Sequence, residues 1–85
     1  MALINRNKNR DLLSRFVVDG GNKKLGESVA LDGDILIIKM ERDFIGVPLK
    51  HVEDMGEFLK VRGLVDLDKA KLLGKKWEMR YVKSR

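Results

Sequence analysis

The 85-residue sequence has no cysteine, one proline and one histidine. Without cysteine the chain can form no disulfide bond, thiolate metal site or thiol nucleophile. The longest apolar run, residues 35–38, is far shorter than the roughly 20 residues of a membrane span. Residues 1–4 are too few for the apolar region of a signal peptide. We therefore expect a single cytoplasmic domain without membrane insertion.

Charge is abundant but unevenly distributed. Charged residues make up 36% of the chain, and the net charge is +5. Residues 1–15 carry +3 and residues 66–85 carry +4, whereas residues 16–65 carry −2. All of the excess positive charge therefore lies at the two ends, and the middle of the chain is mildly acidic.

The middle of the chain has the pattern of a small antiparallel sheet. Seven of the eight glycines lie between positions 20 and 63, and turn signals recur about every 10 residues there. β-branched and aromatic residues favour strands at residues 12–18, 25–31, 35–40, 44–49 and 57–62, separated by turns at 19–22 and 32–34 and by a loop at 50–56. Such sheets close into a barrel or fold over themselves to hide their edges. The pattern therefore predicts a barrel of five to six strands.

The tail allows two interpretations. As a helix capped by Asp66, it places six residues within one arc of about 120°, and the arc consists of Leu67, Ala70, Leu73, Gly74, Trp77 and Tyr81. In this interpretation Gly74 lets the helix approach the sheet closely, although glycine costs about 1 kcal/mol inside a helix. In the other, Gly74 ends a short helix and residues 76–82 form a strand. The arc accounts for more residues, so we predict the long helix.

Three motifs that suggest chemistry have simpler explanations. Residues 21–28 nearly match a phosphate-binding loop, but Glu27 replaces the essential lysine and a strand follows where a helix is required. Asp32 and Asp34 lack the further ligands of a calcium loop. His51 has neither a second histidine nor a nucleophile to work with. We predict no catalytic residue, no cofactor and no metal site.

The best candidate surface lies in the basic ends. Trp77 and Tyr81 stand beside basic residues, and this combination suits nucleic acid, since cations neutralise phosphate and rings stack on bases. Alternatively, both rings form the core side of the helix and the lysines its solvated side. The basic residues of the candidate partner or nucleic-acid surface are Arg6, Lys8, Arg10, Lys75, Lys76, Arg80 and Lys83.

A resemblance to a known family adds to this interpretation. It rests on Val17-Val18-Asp19, on Gly21-Asn22-Lys23-Lys24-Leu25-Gly26-Glu27, on Asp34-Ile35-Leu36-Ile37 and on Gly46-Val47-Pro48-Leu49-Lys50-His51-Val52. Over about residues 16–52 the chain resembles PRC-barrel domains, most closely short archaeal proteins of that type. The resemblance implies an SH3-like barrel that works by docking and not by catalysis. No functional residue transfers, because the matching positions are structural.

These observations predict a mainly β protein with a C-terminal helix. Its parts are a flexible basic arm at residues 1–11, a β-barrel domain at 12–65 and a basic helix packed on the barrel at 66–85. The function expected is that of a non-enzymatic protein-docking or adaptor module. The alternative is an RNA-binding or ribosome-associated module that uses the basic arm and the helix. The sequence leaves the oligomeric state open.

Overall fold

A computed structural model of the chain describes residues 12–63 and 66–82. The strands are β1 (Phe16–Val18), β2 (Lys24–Asp32), β3 (Ile35–Lys39), β4 (Phe44–Pro48), β5 (Val52–Asp54) and β6 (Leu59–Val61). A 3₁₀-helix (Leu49–His51) joins β4 to β5, and the helix α1 (Leu67–Tyr81) follows β6. All six strands form one sheet in the order β4-β3-β2-β1-β6-β5. The basic arm predicted at residues 1–11 lies outside the described residues.

The predicted antiparallel β2-β3-β4 meander is confirmed. Asn22 (φ 67°) and Gly33 (φ 63°) adopt the left-handed backbone conformation that the two predicted turns require. Strand β3 is apolar on both faces because both faces are covered. Leu36 and Ile38 lie in the core, while Ile37, which is 1% exposed, lies on the opposite face, beside Gly46 of β4.

The predicted closed antiparallel barrel is wrong. Strand β1 runs parallel to β6, with Val17 opposite Leu59, so the sheet is mixed. Among the described residues no ladder joins the two end strands β4 and β5. The physical reason lies at β4: α1 packs along this strand, and Pro48 has no N–H to donate to a further strand.

Two boundaries inside the sheet also differ from the prediction. Of the strand predicted at residues 12–18, only the last three residues pair as β1. The preceding residues turn instead, with Ser14 at φ 61°. The loop predicted at residues 50–56 contains most of the 3₁₀-helix and the whole of β5. The two strands concerned, β1 and β5, have three residues each. Such segments are too short to show the two-residue period of a strand.

The long C-terminal helix is confirmed, and the alternative strand at residues 76–82 is wrong. The carboxylate of Asp66 accepts a hydrogen bond from the Lys69 N–H at 3.3 Å, as an N-cap does. Gly74 lies directly against the backbone of β4. A Cβ added there would collide with the carbonyl group of Phe44 and approach the Cα of Ile45 to 2.6 Å. The close approach predicted at Gly74 therefore exists.

The core lies on the inner face of the sheet. Its most deeply buried members are Val17, Leu36, Ile38, Ile45 and Leu59, each 0% exposed. Ala70 of α1 belongs to the same cluster, so the helix is packed into the core by its first half. Tyr81 and Leu67, which the predicted arc placed inward, are 60% and 44% exposed. The buried arc is therefore narrower than the sequence predicted.

Candidate docking surface

The helix α1 carries every described residue of the predicted surface. Lys75 and Lys76 are exposed. Arg80 lies 3.5 Å from the carboxylate of Asp32 in β2 and 5.4 Å from the centre of the Tyr81 ring. The structure therefore separates Arg80, which folds back toward the sheet, from the two lysines. The other predicted members, Arg6, Lys8, Arg10 and Lys83, lie outside the described residues.

Trp77 packs toward the sheet, as the core alternative predicted. Its ring is half-buried and lies 5.1 Å from the Phe44 ring, with the planes tilted by 53°. Tyr81 extends this stack at 5.9 Å but remains mostly exposed. Trp77 thus stabilises the packing of the helix on β4, and of the two rings only Tyr81 presents a large exposed surface.

Apolar side chains also lie on the solvent side of α1, where the sequence analysis considered only lysines. Leu72, Met79 and Val82 are 54%, 58% and 52% exposed. At 100° per residue Leu72 and Met79 point away from Gly74 and Trp77, while Val82, the residue after the helix end, lies at the edge of this side. Lys75 and Lys76 lie between Leu72 and Met79 along the helix. We call these five residues, Leu72, Lys75, Lys76, Met79 and Val82, the outer helix face. Its signal in the sequence was the spacing of Leu72 and Met79, seven residues apart and therefore on one side of a helix.

The charge around this face is mainly positive. Lys69 and Lys76 lie on one side of the line from Leu72 to Met79, and Lys71 and Lys75 lie on the other. All four lysines are exposed. Asp68 is the acidic residue of the first turn. The line from Leu72 to Met79 therefore has cations on both sides, and one carboxylate, Asp68, stands at its start one turn before Leu72.

A second exposed feature crosses the outer surface of the sheet. Directly paired positions place Phe16, Glu27, Lys39 and Phe44 in one row over strands β1 to β4. The Nζ of Lys39 lies 5.2 Å from the centre of the Phe44 ring, and that of Lys24 lies 4.4 Å from the centre of the Phe16 ring. The contacts cover the exposed ring of Phe16 and the half-buried ring of Phe44. The row mixes lysines with Glu27, so it has no dominant charge.

An internal clamp holds the start of the described chain on the sheet. The buried hydroxyl of Ser28 donates to the Leu12 carbonyl at 2.6 Å and accepts from the Arg15 N–H at 3.0 Å. The Arg15 guanidinium donates to the Asp54 carboxylate at 2.7 Å and to the Gly56 carbonyl at 2.6 Å. Arg15 thus ties the segment before β1 to the β5–β6 hairpin. The sequence analysis missed both contacts, because they join residues distant in the chain.

The other predicted motifs form no composite site. Residues 24–28 of the near-match to a phosphate loop lie inside β2, so no helix N-terminus follows it. His51 is exposed in the 3₁₀-helix. Within residues 12–63 and 66–82, no three His, Cys, Asp or Glu side chains stand close enough to hold a metal ion. Over the same residues, no helix has the length and apolar character needed to cross a bilayer.

Comparison with known families identifies a relationship over most of the chain. The model of DUF5749, a family of unknown function, matches residues 13–84. The chain belongs to this family. No curated protein matches this DUF5749 sequence. The DUF5749 match does not assign the chain to the PRC-barrel domains. The resemblance to those domains therefore supports only the function proposed below.

Proposed function

We propose that this DUF5749 protein is a non-enzymatic docking module that binds a protein partner through the outer helix face. The exposure of Leu72, Met79 and Val82, each more than half accessible to solvent, carries the proposal. Single exposed apolar residues are ordinary, but a line of them on one side of a helix is typical of a binding surface.

The packing of α1 supports this role, because the helix presents its outer face from a fixed position. Asp66 caps its start, Ala70 enters the core and Gly74 contacts the backbone of β4. The Trp77 ring against Phe44 secures the second half. A helix held in this way loses little conformational entropy when a partner binds.

Two features of the sequence support a role without catalysis. The chain has no cysteine and a single histidine, so it has neither a thiol nucleophile nor a pair of histidines for acid–base work. The resemblance to PRC-barrel domains points in the same direction, since these domains act by docking.

The experiment compares partner capture by three proteins from a nuclease-treated native lysate. The tagged wild type is set against a double variant, Leu72→Glu with Met79→Glu, and against Met55→Glu. Met55 is 46% exposed but lies in the β5–β6 hairpin, so it controls for a new surface charge. We expect the double variant to lose proteins that both other chains retain. Equal capture by all three proteins would refute the proposed surface.

RNA binding is a second candidate, and the exposed ring of Tyr81 with Arg80 against it favours it. If the basic residues neutralise about four phosphates of an RNA oligonucleotide, the logarithm of its association constant should fall linearly with the logarithm of the salt concentration. The expected slope is about −3. Replacing Lys76 and Arg80 by glutamate should abolish that binding and preserve the fold. Absence of binding by the wild type at low salt would exclude this candidate.

A further inference from the structure

We infer that the partner presents an acidic amphipathic helix, which lies along the outer helix face of α1. The inference rests on the proposed docking function and adds the chemistry of the partner. It comes from two properties of that face, the spacing of its apolar residues and the sign of the charge around them.

The spacing suits another helix. Positions 72, 75, 79 and 82 are separated by three, four and three residues, which is the spacing of an a/d seam in helix pairing. Leu72 and Met79 are about 10.5 Å apart along the axis, at 1.5 Å per residue. A partner helix with apolar residues at the same spacing can therefore contact Leu72, Met79 and Val82 together.

The charge selects an acidic partner. Lys69 and Lys76 flank the seam on one side and Lys71 on the other, and Lys75 occupies a seam position. These four lysines outnumber the single carboxylate of Asp68, which occupies the seam position before Leu72. Carboxylates on both sides of the partner's apolar stripe would pair with these lysines, as charged residues beside a helix seam do. Lys75 can lay its aliphatic stem along the apolar contact while its ammonium group reaches a carboxylate at the rim.

The same features argue against three other occupants. A second copy paired through this face would bring the lysines of both chains together, and like charges destabilise such pairing. Helices that lie on membranes bury a broad apolar side of Trp, Phe or Leu, whereas here Lys75 interrupts the apolar residues and Trp77 packs against Phe44. Single-stranded RNA needs aromatic rings for stacking, and the outer helix face contains none.

The test uses two synthetic helical peptides with leucine at every a and d position. One carries glutamate at the flanking e and g positions, and the other carries lysine there. Binding to the full chain is measured by fluorescence anisotropy at physiological salt. We expect the acidic peptide to bind the wild type about tenfold more tightly than the basic one, since several exposed ion pairs of modest strength add.

Charge reversal provides the decisive comparison. Lys75→Glu with Lys76→Glu should invert the preference, so that the basic peptide binds more tightly. A control pair, Lys23→Glu with Lys50→Glu, changes the net charge equally at exposed positions away from α1 and should keep the wild-type preference. Unchanged circular dichroism and Trp77 fluorescence will show that both variants are folded.

Several results would overturn the inference. Equal binding of the two peptides, or an inverted preference in the control pair, would contradict the role of the lysines on the helix. Tighter binding to phosphatidylserine vesicles or to oligouridylate than to the acidic peptide would indicate a membrane or RNA. Self-association of the free chain that Leu72→Glu abolishes would indicate a second copy. If the peptides bind equally but lysate capture still requires Leu72 and Met79, the docking function stands and the acidic partner is wrong. If the captured set also ignores Leu72 and Met79, the docking surface itself is wrong.

Discussion

Replacing Gly74 by alanine tests how closely α1 lies against the sheet. By helix propensity alone the change should stabilise the protein by about 1 kcal/mol. In the structure, however, the added Cβ meets backbone atoms of Phe44 and lies 2.6 Å from the Cα of Ile45. Backbone atoms cannot rotate away as the end of a side chain can, so the helix itself has to move.

The cost of that movement exceeds the gain in propensity. Overpacking costs typically 1–3 kcal/mol, and contact with backbone atoms of two consecutive residues of β4 places Gly74 near the upper end of that range. We therefore expect a net loss of about 2 kcal/mol after the propensity gain of about 1 kcal/mol. For a domain of this size the loss corresponds to a decrease in Tm of roughly 8–16 °C.

The assay follows thermal and urea unfolding by circular dichroism and by tryptophan emission. Trp77 is the only tryptophan in the chain and packs on Phe44, so a displaced helix should also shift its emission to the red in the native state. Lys75→Ala is the matched control at an exposed position of the same helix, and it should change stability little. A Gly74→Ala protein that is more stable than the wild type, with unchanged emission, would refute the close contact.

Three further changes test the rest of the scaffold in the same unfolding assays. Gly46→Ala should destabilise the protein, because the added Cβ would lie 2.9 Å from the Leu73 Cβ. A variant as stable as the wild type would mean that α1 lies farther from β4. Ser28→Ala should cost about 1–3 kcal/mol, since it leaves the part-buried Leu12 carbonyl and Arg15 N–H without their side-chain partner; a neutral effect would contradict the clamp. Arg15→Ala should cost about 1 kcal/mol through lost hydrogen bonds to Asp54 and Gly56, and high salt should reduce the difference from the wild type.

The meander and the helix could be predicted because their signals are local. Residues 24–48 alternate or run apolar between turns that contain Asn22 and Gly33, and each strand pairs with its neighbour in the chain. The helix has a capping aspartate and an apolar arc of adequate length. For such elements the sequence itself carries the periodicity that determines the structure.

Two features of the sheet could not be predicted. Among the described residues the sheet does not close between β4 and β5, and β1 pairs in parallel with β6. Both features depend on contacts between segments that are distant in the chain. Val17 and Leu59, which pair across β1 and β6, are 42 positions apart in the sequence. The three residues of β5 are too few to show alternation, so the sequence predicts a loop there. The spacing of Leu72 and Met79 places both on one side of the helix, but spacing alone does not show whether that side is exposed.

The connection between Arg15 and the β5–β6 hairpin has a consequence for the order in which the chain folds. The guanidinium of Arg15 and its acceptors lie 39 and 41 positions apart in the sequence, whereas the β2-β3-β4 meander needs only short loops. Closing a long loop costs entropy before its contacts contribute. We therefore expect the meander to form early and the β1–β6 pairing late, so that amide protons of β6 should exchange with solvent sooner than those of β3.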